Sequence, residues 1–129
     1  MSPASVDDLD DVVQVDLPLR VEHAATLRVL VASLASEVGF SVDEIDDLRL
    51  AVSEVFALLT DASPLGRCVA RLHVSDNLID VLLTGPDVTA GVHLDPLAST
   101  ILTSVVDEHH PLDNGVRLVK RATETSASR

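Results

Sequence analysis

Residues 41–62, SVDEIDDLRLAVSEVFALLTDA, decide the fold, because one run holds both a helix start and a helix-period apolar stripe. Ser41 followed by Glu44 is a capping box: the hydroxyl and the carboxylate each take an amide that a helix start leaves without a partner. Asp43, Glu44, Asp46 and Asp47 load the first turns with negative charge, which suits the positive end of the helix dipole. Behind the cap, Ile45, Leu48, Val52, Val55, Leu59 and Ala62 recur at three- and four-residue steps. At about 100° per residue, Glu54 falls nearly opposite the centre of that stripe, among Leu50, Ala51, Ala57 and Leu58. The spacing predicts a helix that is apolar around most of its circumference, with one carboxylate set into its second face. That carboxylate is either a half-exposed Glu that snorkels or a group aimed at a ligand or partner. Period and composition leave both open.

Outward from this helix, the 129 residues make one domain with enough chain for its own core. Apolar residues are 47% of the chain, as in a globular protein, but the only aromatics are Phe40 and Phe56. The core is therefore built of Leu, Val, Ile and Ala, and there is no stacking platform for single-stranded nucleic acid. Nine basic against 21 acidic residues give a net charge of −12. Such a field repels phosphate backbones and anionic lipid, and favours a basic protein partner over nucleic acid or membrane. Cys68 is the single cysteine, so there is no internal disulfide and no cysteine metal site. The acidic start MSPASVDDLDD has no apolar core of a signal peptide, and no run is long enough for a membrane span. The expected location is cytoplasmic.

Residues 1–11 read as a disordered acidic tail and 123–129 as a second tail, with the domain at 12–122. Val12, Val13, Val15 and Leu17 predict a first strand ended by Pro18. Residues 20–38 predict a helix with Ala24, Leu27, Leu30, Val31, Leu34 and Val38 on its apolar face and Gly39 as its stop. Residues 67–75 alternate as a half-buried strand and 78–83 return through an Asp76-Asn77 turn. Gly85, Pro86 and Gly91 mark a loop. Asp95-Pro96 caps a short helix that ends near Val106, 107–115 reads as a polar turn, and 116–121 is a last strand. The order gives an α+β, two-layer sandwich: a mixed, mostly antiparallel sheet of about four strands with helices on one face.

Few chemical sites survive inspection. Adjacent His109 and His110, with Asp107 and Glu108, could hold a weak metal site, but a solvated turn is the simpler reading. No nucleophile elbow, P-loop or dinucleotide fingerprint is present. From the residues alone the chain is an acidic α+β interaction module.

The segments PLRVEHAATLRVLVASLASEVGF (18–40) and DLRLAVSEVFALL (47–59), with DPLASTILTSVVDEHH (95–110) and DNGVRLVKR (113–121), resemble the RsbW-like anti-sigma factors. These form the serine-protein kinase branch of the GHKL, histidine-kinase-like ATPase superfamily, and the later segments look like its actinobacterial, sigma-F-binding subgroup. The resemblance covers about residues 12–121 and implies a Bergerat-type sandwich. It further implies partner switching between an alternative sigma factor and a STAS-domain anti-anti-sigma factor, and a homodimer joined through the sheet layer.

The resemblance also implies ligand positions, and here the chain departs from the family. Active members carry Glu-x-x-x-Asn on the central helix, a catalytic Glu and a Mg2+ ligand. Glu54 matches the Glu, but Leu58 stands at the Asn position and offers no oxygen to a hard cation. The family's Asp-x-Gly-x-Gly box reads adenine through its Asp. With Gly85 as the first Gly, Leu83 holds the Asp position and Asp87 that of the second Gly. The glycine-rich ATP lid is missing, 86–95 having only Gly91. The expectation is a sigma-sequestering protein with a degenerate nucleotide site, Glu54 vestigial, and no cofactor or metal. The alternatives are an active ATP- and Mg2+-dependent serine kinase acting on the STAS-domain partner, or a module unrelated to sigma factors.

Overall fold

The computed structural model describes residues 12–89 and 91–123. The expected tail at 1–11, and that at 123–129 apart from Thr123, lie outside the described residues. The elements run β1 (Val12–Pro18), α1 (Val21–Glu37), α2 (Val42–Ala62), β2 (Arg67–Ser75), β3 (Leu78–Thr84), α3 (Pro96–Val105), β4 (Glu108–Leu112) and β5 (Gly115–Arg121). They form a five-stranded sheet in the order β1-β2-β3-β5-β4 with three helices, a two-layer α+β fold as expected. Every pairing is antiparallel, so the parallel component of a mixed sheet is absent among the described residues.

The capping box of α2 forms in both directions: the Ser41 hydroxyl accepts from the Glu44 amide at 3.1 Å, and Glu44 accepts from the Ser41 amide at 2.8 Å. Glu44 also accepts from the Thr123 amide at 2.8 Å, tying the chain after β5 to the start of α2. Burial pushes the Glu44 carboxyl up, but the bonds from Ser41 and Thr123 outweigh it and hold the group below its ordinary 4.5. Asp95 caps α3 through the Ala98 amide at 2.8 Å, behind Pro96 at the first turn. Gly39 ends α1 in the left-handed region, φ 85°, where glycine has no Cβ penalty.

The core lies between the helices and one face of the sheet. Cys68, Ala70 and Leu72 of β2, Ile79, Val81 and Leu83 of β3, and Val116 and Leu118 of β5 alternate toward it. Burial pushes the Cys68 thiol up to about 12, helped by the charge of Asp16. The central helix α2 is flanked by α1 and α3 and lies over the sheet, which explains an apolar surface wider than one stripe. Ala51, expected beside Glu54 on the second face, is fully buried.

One element corrects the sequence reading. The expected polar turn at 107–115 is the strand β4 with a two-residue turn at Asp113 and Asn114, its register running from Glu108–Val119 to Leu112–Gly115. EHHPL carries no alternation because β4 is an edge strand: its backbone bonds to β5, its side chains are half-buried or exposed, and Pro111 is tolerated there.

Candidate functional site

Leu83 runs out of the core into Thr84 and the loop that begins at Gly85. Gly85 donates to Asn114 O at 2.7 Å, and the Val88 amide returns to Gly85 O at 2.9 Å. A Cβ on Gly85 would lie 2.8 Å from the Val88 side chain and 3.4 Å from that of Leu59, so a larger residue would have to displace Val88. Gly91 takes φ 86°. Between this loop and the C-terminal half of α2 lies a cavity of about 490 Å³, lined on the helix by Leu58, Asp61 and Ala62 and on the loop by Asp87, Val88, Thr89, Gly91, His93 and Asp95.

The four residues singled out in the sequence do not converge. Leu58 lines the cavity and Gly85 starts the loop beside it. Leu83 is fully buried among core side chains, away from the lining. Glu54, one turn before Leu58, is half-buried, has no hydrogen-bond or ion-pair partner among the described residues, and is not part of the lining. What the sequence reading missed is the sign of the cavity. Among the described residues, Asp61, Asp87 and Asp95 line it and no Lys or Arg does. Two of the three already have structural work: Asp87 accepts from the Arg67 amide at 3.2 Å and Asp95 caps α3. The signal was available only as scattered Asp residues, because Asp61 and Asp87 meet through the packing of α2 against the loop. Among the described residues no three His, Cys, Asp or Glu side chains are placed to hold a metal ion.

A second hollow of about 330 Å³ runs between α1 and α2, lined by Val21, Ala24, Phe56, Ala57 and Thr60 with Asp61 at one end. Across it Arg28 Nη1 donates to Ser53 Oγ at 3.2 Å. Val21 and Val29 are 81% and 69% exposed on this helical layer, and Leu50 is 48% exposed. Residues 21–62, which carry them, hold eight Asp or Glu against Arg28 and Arg49.

The other face of the sheet has no helix over it among the described residues and has a different character. Arg67, Arg71, Arg117 and Arg121 lie there, with His73 and His110. Arg67 donates to Asp16 at 2.7 Å, and Arg117 grips Asp80 through Nε at 3.0 Å and Nη2 at 2.6 Å. That bond and the Asp80 charge raise the Arg117 pKa. His110 Nε2 lies 3.0 Å from Glu108, which also accepts from Arg121 at 3.0 Å; these two bonds hold the Glu108 carboxyl below its ordinary value. His109 and His110 point to opposite faces of β4, so they do not form a pair.

Against known proteins, no family model matches the chain. It is similar to serine-protein kinase RsbW of Bacillus licheniformis, 24% identical over 87 residues that cover 64% of this chain and 54% of that protein. It is also similar to serine-protein kinase RsbW of Bacillus thuringiensis and of Bacillus cereus, in each case 33% identical over 42 residues, 33% of this chain and 26% of theirs. The chain thus spans about half the length, or less, of the curated relatives it matches. Among solved structures it shares its fold with the crystal structure of the RsbU and RsbW domains of Rv1364c from Mycobacterium tuberculosis. The TM-score is 0.64 at 15% identity, covering 86% of this chain and 32% of that one. No helix among the described residues is long and apolar enough to cross a membrane.

Proposed function

We propose that this chain is an anti-sigma factor of the RsbW-like kind, of the actinobacterial subgroup, that captures an alternative sigma factor stoichiometrically and without nucleotide chemistry. The weak homology to RsbW proteins and the common fold support the class. The observation that carries the second half is the acidic cavity. ATP·Mg2+ does not fit these residues: Leu58 supplies no oxygen to a hard cation, Leu83 faces the core in place of an adenine acceptor, and three carboxylates with no cation would meet the phosphates. Each hydrogen bond left unmade costs about 1–3 kcal/mol, so several together take a micromolar site beyond millimolar.

Capture would use the helical layer. Its exposed Val21, Val29 and Leu50, on helices that carry eight carboxylates against two arginines, suit a basic partner of DNA-binding type, and its field speeds encounter more than it tightens the complex. The association rate should then fall as salt rises to physiological strength and screening shortens to about 8 Å; a salt-insensitive rate removes the electrostatic part. A STAS-domain antagonist would compete for the same chain. The protein would form a homodimer, contradicted by a monomeric sedimentation profile at about tens of micromolar.

The deciding experiment is calorimetric titration of the full chain with ATP·Mg2+ beside capture of a sigma factor in competition with core RNA polymerase. Capture without measurable nucleotide binding supports the proposal, and Leu58→Asn should not restore binding. One observation favours the kinase reading: Glu54, which the resemblance puts at the catalytic position, is half-buried and has no partner among the described residues. Micromolar ATP·Mg2+ affinity, or Glu54-dependent phosphate transfer to a STAS-domain protein, would establish that reading instead. Normal folding with no sigma capture would leave the unrelated interaction module.

A further inference from the structure

The hollow between α1 and α2 combines apolar walls with a cation that no carboxylate answers. Ala24 on α1 and Ala57 on α2 are too small to close the gap, so the buried Phe56 lines it and the exposed Val21 forms its rim. Arg28 donates to Ser53 Oγ at 3.2 Å and has no carboxylate partner among the described residues. Ser53 accepts that bond, and its own hydroxyl proton has no acceptor among the described residues. Thr60 differs, because its hydroxyl already donates to Phe56 O at 2.9 Å. Asp61 stands beyond it, eight residues after Ser53 and so about 12 Å further along α2.

We propose that this hollow binds a straight-chain monocarboxylate of about eight carbons, its carboxylate on Arg28 and Ser53 and its chain along Phe56 toward Val21. Arg28 and Ser53 are half-buried and both have donors to spare, which suits the two oxygens of one carboxylate. The length follows from the helix. An extended chain advances about 1.2 Å per bond, so eight carbons with their carboxylate reach about 10 Å and stop short of Asp61. The volume of about 330 Å³ is that of a small-ligand site. Asp61 sets the polarity: a dicarboxylate of the same length would put its second charge beside a carboxylate that has no cation among the described residues. The inference goes beyond the capture of a protein partner and does not rest on it.

The test titrates octanoate into the isotope-labelled full chain and follows amides and methyls by NMR. Saturable shifts should centre on Ala24, Ser53, Phe56 and Ala57, with a dissociation constant on the order of a millimolar. Arg28→Met keeps an apolar stem without the guanidinium and should weaken octanoate about tenfold while leaving the neutral 1-octanol unchanged. Ala57→Phe, at an exposed position, should fill the hollow and abolish binding of both. Octanedioate should bind about tenfold more weakly than octanoate, and Asp61→Asn should narrow that gap. A titration without saturable shifts at these residues overturns the proposal, as does an octanoate affinity that Arg28→Met leaves unchanged. Shifts at the same residues that grow with protein concentration alone assign the hollow to a second copy and overturn it too.

Discussion

Lys120 and Arg117 sit three residues apart on β5 and point to opposite faces, and the two faces treat a cation differently. Lys120 enters the core side at 8% exposure, where Nζ donates to Val105 O at 2.8 Å and lies 3.7 Å from Asp47. Arg117 stands half-exposed on the open face and pairs with Asp80 across the strand pairing. The same contrast holds for the layers as wholes. The helical layer is acidic through local sequence, its carboxylates crowding α2; the open face is basic through register, which lines up arginines from distant segments. The net charge of −12 describes neither. A charge on the core side is part of the packing, and a charge on the open face meets solvent and cross-strand carboxylates.

The largest effect should come from forcing a carboxylate onto the core side. Leu83→Asp restores the family's adenine-reading residue by chemistry but buries an unpaired charge among core side chains. It should cost about 4 kcal/mol or more in denaturant unfolding and gain no ATP affinity. A stable variant that binds ATP would show that this position opens to the cavity and that its acidic lining is no barrier. Next, Lys120→Ala removes the donor to Val105 O and should cost about 2 kcal/mol, since a buried carbonyl loses its partner. Glu44→Gln should cost about 1 kcal/mol by weakening the capping box. Glu44 also sets a pH signature. Its folded pKa is depressed, so its contribution is full above the unfolded value and is lost as pH falls from about 4.5 through the folded value. Wild type and Glu44→Gln should therefore converge in stability in acid; a constant gap refutes the linkage. Smallest is Arg117→Ala, about 0.5 kcal/mol for an exposed pair. A loss equal to that of Lys120→Ala would erase the distinction between the faces.

The α2 cap, its stripe, the Gly39 stop, the Asp95-Pro96 start and the alternation of β2 were all legible in the sequence, because each signal lies within a few residues and depends on local geometry. They suffice for an α+β sandwich. The strand β4 was illegible because an edge strand takes its backbone partners from β5 and needs no apolar alternation of its own. At the candidate site, the substitutions at Leu58 and Leu83 could be seen by resemblance, but their consequences could not. Only packing put Leu58 on a cavity wall and Leu83 in the core, and brought Asp61 to Asp87. Charge divides in the same way. Composition sets the total, whereas the division into an acidic helical layer and a basic sheet face is decided by strand register, which selects the face on which each side chain emerges.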